Sequence, residues 1–157
     1  MKNIKWKPLL ISLAINLAIY VVSGLITYDS MDTYSQLYKP PLSPPGWLFP
    51  IVWGILFLLM AIAAYLIIIS DSPNKKNALK IYFFQLGANV IWSVIFFRLD
   101  AYVLAFAWLL LLWYLVYLTI KAFKDISKTA AYLLIPYIVW ITFAAYLNVS
   151  IAIYYLK

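Results

Sequence analysis

Residues Tyr34 to Trp53 read YSQLYKPPLSPPGWLFPIVW. Five of the chain's eight prolines lie in this stretch, between aromatic residues and with Lys39 as its one charged residue. Proline fixes the backbone φ angle and removes a hydrogen-bond donor, so the sequence predicts a stiff segment that is not helical. A stiff aromatic segment that runs into an apolar helix favours a lid over a cavity. An ordinary proline-rich connector between two membrane spans is the alternative interpretation.

The composition of the whole chain indicates that the protein lies in a membrane. The chain has 157 residues, of which 67% are hydrophobic and 11% are charged. A soluble domain of this length cannot bury so much apolar surface, so we expect the chain to lie in lipid. The first apolar run has no small-residue cleavage site after it and is expected to be a retained span.

Several classes of chemistry are excluded by residue types that the sequence lacks. It contains no cysteine, no histidine and no glutamate. A disulfide framework, a zinc site and a haem ligated by histidine or cysteine are therefore excluded. A Ser-His or Cys-His nucleophile is excluded as well. We predict neither a metal nor a cofactor.

Apolar runs of membrane-spanning length follow one another along the chain, at residues 8–28, 46–70, 79–98, 101–122 and 129–155. They are too long and too continuous for barrel strands. The sequence therefore predicts an all-α bundle of five transmembrane helices, in one domain over residues 1–157, with a lid segment at residues 29–46. The short connections after the second, third and fourth spans predict antiparallel neighbours, and Pro136 predicts a bend in the fifth span.

The basic residues indicate orientation in the membrane. The N-terminus and the loops after spans two and four carry nine lysines, whereas the other side carries Lys39, Arg98 and Lys157. This asymmetry places the N-terminus in the cytoplasm and the lid segment and C-terminus outside a cell membrane. Because the cations bracket apolar runs and form no single patch, the net charge of +7 does not indicate a nucleic-acid partner.

Neutral polar and aromatic residues recur at helical spacing in the third span. Asn89, Trp92, Ser93 and Phe96 stand at i, i+3, i+4 and i+7 and share one helix face. An amide in hydrocarbon needs a partner, so Asn89 is expected to face the protein interior. It either lines a ligand site or only bonds a neighbouring helix.

The fifth span shows a similar recurrence of Tyr137, Trp140, Ala144 and Asn148. This face either borders a cavity, with room for a flat ligand at Ala144, or packs against other helices. Together with Trp53 and Trp92, it favours an uncharged interior suited to a large, flat, apolar molecule with an aromatic face. An ion path would need buried charges.

Near the C-terminus, Val149, Tyr154 and Lys157 match the loose V-x-Y-x-K pattern proposed for cholesterol contact. An interfacial tyrosine followed by a terminal lysine is the alternative interpretation. The pattern motivates a second functional hypothesis, a carrier for sterol-like or other lipid small molecules.

Three motifs resemble one known family. Y-x-x-L-x-K-P-x-x-x-P-P-x-W-x-F-P-x-V-W begins at Tyr34, N-x-x-W-S-x-x-F-F begins at Asn89, and P-Y-x-x-W-x-x-F-A-x-x-L-N-x-x-I begins at Pro136. Together they resemble the TspO/MBR family of tryptophan-rich sensory proteins, which includes the mitochondrial translocator protein. Two departures are Thr33, where many members have tryptophan, and the single Gly24 in the first span, where a pair of glycines is frequent.

The resemblance implies a homodimer of five-helix subunits in membrane lipid that binds porphyrins and isoquinoline-type ligands below the first loop. It further implies light- and oxygen-dependent breakdown of protoporphyrin IX, with Trp53 and Trp140 as the residues involved. The complete predicted ligand-binding set is Tyr34, Pro44, Pro45, Phe49, Trp53, Phe57, Asn89, Trp92, Ser93, Phe96, Tyr137, Trp140 and Ala144.

The sequence thus favours a membrane protein that senses, sequesters or transports tetrapyrroles, with photo-oxidative degradation as a possible activity. A carrier for lipid-like molecules and a non-catalytic regulatory membrane subunit are the alternatives. An enzyme with an ordered acid/base site is disfavoured, because the predicted spans contain no acid or base to serve it.

Overall fold

The computed structural model describes residues 4–156, apart from the side chains of Met31 and Thr33. Within these residues the chain is all-α and has no strand. The helices are α1 (Trp6–Thr27), α2 (Ser30–Gln36), α3 (Leu48–Ile68), α4 (Lys75–Phe97), α5 (Tyr102–Lys124), α6 (Lys128–Leu133) and α7 (Ile135–Tyr155).

The described residues contain five segments long and apolar enough to cross a membrane. Four of them are α1, α3, α4 and α5, and α6 with α7 makes the fifth. The predicted five-helix bundle is therefore confirmed, and the protein is a multi-pass membrane protein.

The start of α4 differs from the expected bound. The helix begins at Lys75, ahead of the apolar run that the sequence places from residue 79. Backbone hydrogen bonding continues past the apolar edge, because a lysine stem can lie along the bundle while its ammonium reaches polar groups. The Lys75 ammonium lies 2.8 Å from the Ser70 carbonyl and 3.4 Å from that of Ile68, so it donates to the end of α3.

The lid segment is partly helical. The helix α2 includes Tyr34, so the expectation of a wholly non-helical stretch from this residue is wrong for its first three positions. No proline precedes Pro40 in the segment, and the backbone can therefore close one more helical turn. Residues 37–47, which hold the prolines Pro40 to Pro45, are irregular, as predicted.

The fifth span is broken where proline predicts a bend. Ser127 caps α6 by accepting a bond from the Ala130 amide at 3.2 Å. The chain then breaks at Leu134, and Pro136 lies in the first turn of α7. Proline is tolerated there because the first amides of a helix have no intrahelical acceptor.

The helices pack in the ring order α1, α3, α6 with α7, α5 and α4, and the ring closes where α4 meets α1. One end of the bundle, the lysine-rich face, holds the start of α1 and the loops after α3 and α5. The opposite end, the lid face, holds α2, the proline-rich loop and the start of α3. The core between them includes Met60, Tyr82, Leu112, Phe123 and Ile141, each at most 1% exposed.

Candidate functional site

A cavity of about 350 Å³ lies between α1, α3 and α4 on the lid-face side of the bundle. It is lined by Tyr20, Val21, Ser23, Gly24, Leu25, Thr27, Tyr28, Phe49, Pro50, Trp53, Phe57, Asn89, Trp92, Ser93 and Phe97. Among these described residues none carries a charge. Its volume lies at the lower end of the range of about 300–1,000 Å³ for small-molecule sites.

Helix periodicity places the aromatic wall of this cavity. Phe49, Trp53 and Phe57 are spaced four residues apart on α3 and therefore face the same side. The ring centroids of Trp53 and Phe57 lie 5.9 Å apart. This spacing lies within the range of favourable aromatic pairs, so the two rings pack against each other in the wall.

The second wall comes from the predicted face of α4. Asn89, Trp92 and Ser93 all line the cavity, in agreement with their shared helix face. The Asn89 amide nitrogen also donates to the Tyr137 hydroxyl at 2.9 Å, so this residue both borders the cavity and bonds a neighbouring helix. The interhelical bond of Asn89 is therefore present, and its place in a ligand site stays a prediction.

Buried hydrogen bonds fix these polar side chains. The Tyr137 hydroxyl accepts from Asn89 and donates to the Gln85 side-chain oxygen at 2.9 Å. The Trp92 indole nitrogen donates to the Asn148 side-chain oxygen at 3.3 Å. Because each bond joins α4 to α7, the network sets how far the two helices stand apart.

Seven of the thirteen predicted residues lie outside the cavity lining, and four of these belong to α4 and α7: Phe96, Tyr137, Trp140 and Ala144. Two of them form a layer behind the wall. Trp140 meets Phe49 edge to face with ring centroids 5.8 Å apart, and Tyr137 meets Trp53 in the same way at 6.1 Å. Phe96 is buried against Trp92 at 5.5 Å, and Ala144 is half-buried and packs against the core.

The lid residues also lie outside the lining. Tyr34 is 6% exposed, contacts Phe49 edge to face at 5.1 Å and places its hydroxyl 3.4 Å from the Pro44 carbonyl. Pro44 is buried and Pro45 is exposed. Burial raises the pKa of the Tyr34 hydroxyl, so the tyrosine stays neutral at physiological pH. The lid therefore reaches the cavity through Phe49.

Contacts between helix ends hold the lid-face end of the cavity. The Arg98 guanidinium donates to the Ile26 carbonyl at 2.7 Å and lies 3.8 Å from the Asp29 carboxylate. The Ser30 hydroxyl donates to the Phe97 carbonyl at 3.0 Å. These contacts join the end of α1 and the start of α2 to the end of α4, above the aromatic walls.

Sequence reasoning missed the contribution of α1. Tyr20, Ser23, Gly24, Thr27 and Tyr28 line the cavity at i, i+3, i+4, i+7 and i+8, so they form one helix face. That spacing, with four hydroxyl-bearing side chains and a glycine on one face, was the signal in the sequence. Exposed α1 side chains such as Leu25, 67% exposed, also line the cavity, so it reaches the lipid-facing surface there.

The C-terminal pattern lies apart from this cavity. Tyr154 is exposed, and its ring stacks on Tyr38 of the proline-rich loop with centroids 4.2 Å apart and an interplanar angle of 3°. Val149 is half-buried, and Lys157 lies outside the described residues. Thr33, one of the two departures from the family pattern, has a side chain that is likewise outside the description.

These features define a class: a five-helix membrane protein with a neutral, tryptophan-walled cavity below a proline-rich loop. The profile of the TspO/MBR family matches residues 11–154. The chain therefore belongs to the TspO/MBR family.

Individual relatives agree with this assignment. The chain is 33% identical over 131 residues to the tryptophan-rich sensory protein of Cereibacter sphaeroides, a match that covers 83% of this chain and 80% of that protein. It is 32% identical over 133 residues to the human translocator protein, covering 82% and 79%. The match to the tryptophan-rich protein TspO of Chlorobaculum tepidum, 37% over 105 residues, covers 64% of this chain and 65% of the relative.

Proposed function

We propose that this protein binds a porphyrin, protoporphyrin IX or a close analogue, in the cavity between α1, α3 and α4. The observation that carries the proposal is an uncharged cavity walled by Phe49, Trp53, Phe57 and Trp92. A tetrapyrrole macrocycle is flat and apolar, and each aromatic stacking contact adds about 0.5–1.5 kcal/mol beyond the area buried.

Two cations near the lid-face end of the cavity support one orientation of the bound ligand. Its lid-face end lies beside Arg98, and Lys39 stands 5.8 Å from the centre of the Tyr34 ring in the loop above. The propionate edge of a porphyrin would lie toward these cations and the water beyond them. An exposed ion pair contributes only about 0–1 kcal/mol, so the charges orient the ligand while the aromatic walls supply most of the affinity.

We further propose that the bound porphyrin is degraded in a light- and oxygen-dependent reaction that involves Trp53 and Trp140. Trp53 lines the cavity, and Trp140 contacts Phe49, which also lines it. With no histidine or cysteine in the chain, the reactivity comes from the photo-excited porphyrin and oxygen together with the indole rings. Sensing, sequestration and transport of the tetrapyrrole are roles that the same binding site would serve.

The test illuminates purified protein with protoporphyrin IX and follows both tryptophan fluorescence quenching and loss of the porphyrin spectrum. The double variant Trp53→Phe and Trp140→Phe keeps an aromatic wall but removes both indoles, so we expect binding to persist and degradation to stop. Trp113→Phe is the matched control, because Trp113 bonds Thr142 and lines neither this cavity nor its walls. Unchanged degradation in the double variant would refute the catalytic assignment, and absence of wild-type quenching would refute porphyrin binding.

We also propose residence in the cell membrane as a homodimer, with the N-terminus in the cytoplasm. The lysine asymmetry supports the orientation. Because the chain has no cysteine, single cysteines placed at Asn74, Ser127 and Ser43 give an unambiguous labelling experiment. An impermeant reagent applied outside intact cells should label only position 43. Labelling at positions 74 and 127 instead would show that the N-terminus lies outside the cell. Mass photometry of the purified protein tests the homodimer.

A further inference from the structure

A second cavity, of about 560 Å³, lies between α1 and α3 on the lysine-rich side of the first one. We call it the α1–α3 groove; its lining includes Leu10, Ala14 and Leu17 of α1 and Gly54, Leu58 and Ala61 of α3. Leu10 and Leu17 are each 60% exposed and Leu58 is 51% exposed, so the groove is open to the bilayer. Glycine and alanine between the leucines leave the depth that larger side chains would fill.

The groove is long and runs along the helices. Its α1 residues stand at i, i+4 and i+7, which makes a stripe nearly parallel to the helix axis. From Leu10 to Tyr20 the stripe extends about 15 Å at 1.5 Å per residue. At its deep end it meets Tyr20 and Phe57, whose rings lie 5.7 Å apart and also line the first cavity. A largely apolar channel of this length suits one extended acyl chain.

One lysine continues the α1 face of the groove beyond its lining, toward the lysine-rich face. Lys7 stands three residues before Leu10 and continues the same stripe toward the lysine-rich face. The Lys5 amide donates to the Tyr65 hydroxyl at 3.1 Å and so holds the start of α1 against the end of α3. Within residues 4–156 the one ion pair joins Arg98 to Asp29 at the opposite face, which leaves the Lys7 ammonium free of a carboxylate partner.

We infer that the α1–α3 groove binds one anionic glycerophospholipid, with an acyl chain along the α1 stripe and the phosphate beside Lys7. Charge complementarity selects this occupant, because an apolar channel alone would take any lipid and the lysine favours a negative headgroup. Lipid binding in the α1–α3 groove does not depend on porphyrin binding, because the proposed lipid occupies the groove and the proposed porphyrin occupies the first cavity.

The experiment is native mass spectrometry of the full chain in detergent. The protein is titrated with phosphatidylglycerol and, separately, with phosphatidylcholine of the same acyl chains. We expect one phosphatidylglycerol to be retained more tightly than phosphatidylcholine. Lys7→Gln should weaken phosphatidylglycerol binding about fivefold, the factor that corresponds to about 1 kcal/mol per lysine near an anionic surface, and should leave phosphatidylcholine binding unchanged.

Ala14→Phe fills the groove and should abolish retention of both lipids. Ala107→Phe and Lys124→Gln are the matched controls, because both residues are exposed and neither lines the groove. Equal binding of the two lipids, an unchanged Lys7→Gln variant, or equal losses in the controls would each overturn the inference. If Ala14→Phe does not fold, the Lys7→Gln comparison decides the question by itself, since that exposed substitution removes only the charge.

Discussion

Replacing Tyr137 by phenylalanine tests how the bundle holds its cavity wall. The change removes one oxygen atom and keeps the ring that meets Trp53 edge to face at 6.1 Å. That oxygen accepts from the Asn89 amide and donates to Gln85, both at 2.9 Å. Tyr137 is 1% exposed, so no water replaces the lost contacts in the substituted protein.

The expected cost follows from those two bonds. A neutral buried hydrogen bond contributes about 0.5–1.5 kcal/mol, and interhelical bonds in membrane proteins average about 0.6 kcal/mol. Two such bonds predict that Tyr137→Phe lowers the free energy of unfolding by about 1–3 kcal/mol. Porphyrin binding should weaken as well, because Asn89 lines the cavity and loses the partner that orients it.

Reversible unfolding in mixed micelles measures the change, and Tyr114→Phe is the matched control because Tyr114 is 53% exposed. A double-mutant cycle with Asn89→Ala isolates the Asn89–Tyr137 bond and should give a coupling energy of about 0.6–1.7 kcal/mol. If Tyr137→Phe unfolds like the wild type and the control, or if the cycle shows no coupling, these hydrogen bonds do not hold the cavity wall.

Three further predictions concern the cavity and its lid. Gly24→Leu should weaken protoporphyrin IX binding about tenfold without loss of stability, because Gly24 lines the cavity and an added Cβ there meets nothing within 4 Å. Gly87→Leu is the control and should leave porphyrin binding unchanged, because Gly87 has the same free space but does not line the cavity. Spectral titration should show tighter binding of metal-free porphyrin than of haem, since the chain has no histidine or cysteine to ligate iron; tighter haem binding with a ligated-iron Soret shift would contradict this. Burial raises the pKa of Tyr34 above its ordinary value of 10.0, so its stabilisation of the lid is complete below that pH and is lost as the pH rises through the raised pKa. Ligand release should therefore accelerate above pH 10 in the wild type, and Tyr34→Phe should remove that part of the pH dependence.

The helix faces were the most predictable part of the candidate site. Asn89, Trp92, Ser93 and Phe96 were grouped by helical spacing; the first three border the cavity, and Phe96 is buried against Trp92. Spacing fixes which side chains share a face, because the helix repeat is a property of the backbone. It does not fix which neighbouring face stands opposite, and the contribution of Gly24 and the rest of α1 was therefore missed.

The sequence also could not predict which side chains line the cavity and which lie one layer behind it. Trp53 and Trp140 carry equal weight as motif residues, yet Trp53 lines the cavity and Trp140 lies behind Phe49. Tyr34 likewise reaches the cavity only through Phe49. Such layering depends on the angle and separation of packed helices, which side-chain volumes on several helices determine together.

A lipid environment and five membrane-spanning helices follow from the sequence alone, which also predicts an interior of neutral and aromatic side chains. These properties are local sums of apolar area, span length and residue type, and each can be read one segment at a time. The cavity between α1, α3 and α4 and the α1–α3 groove become visible only in the folded bundle. A cavity is the space left when several helices have packed, and no single segment contains that information.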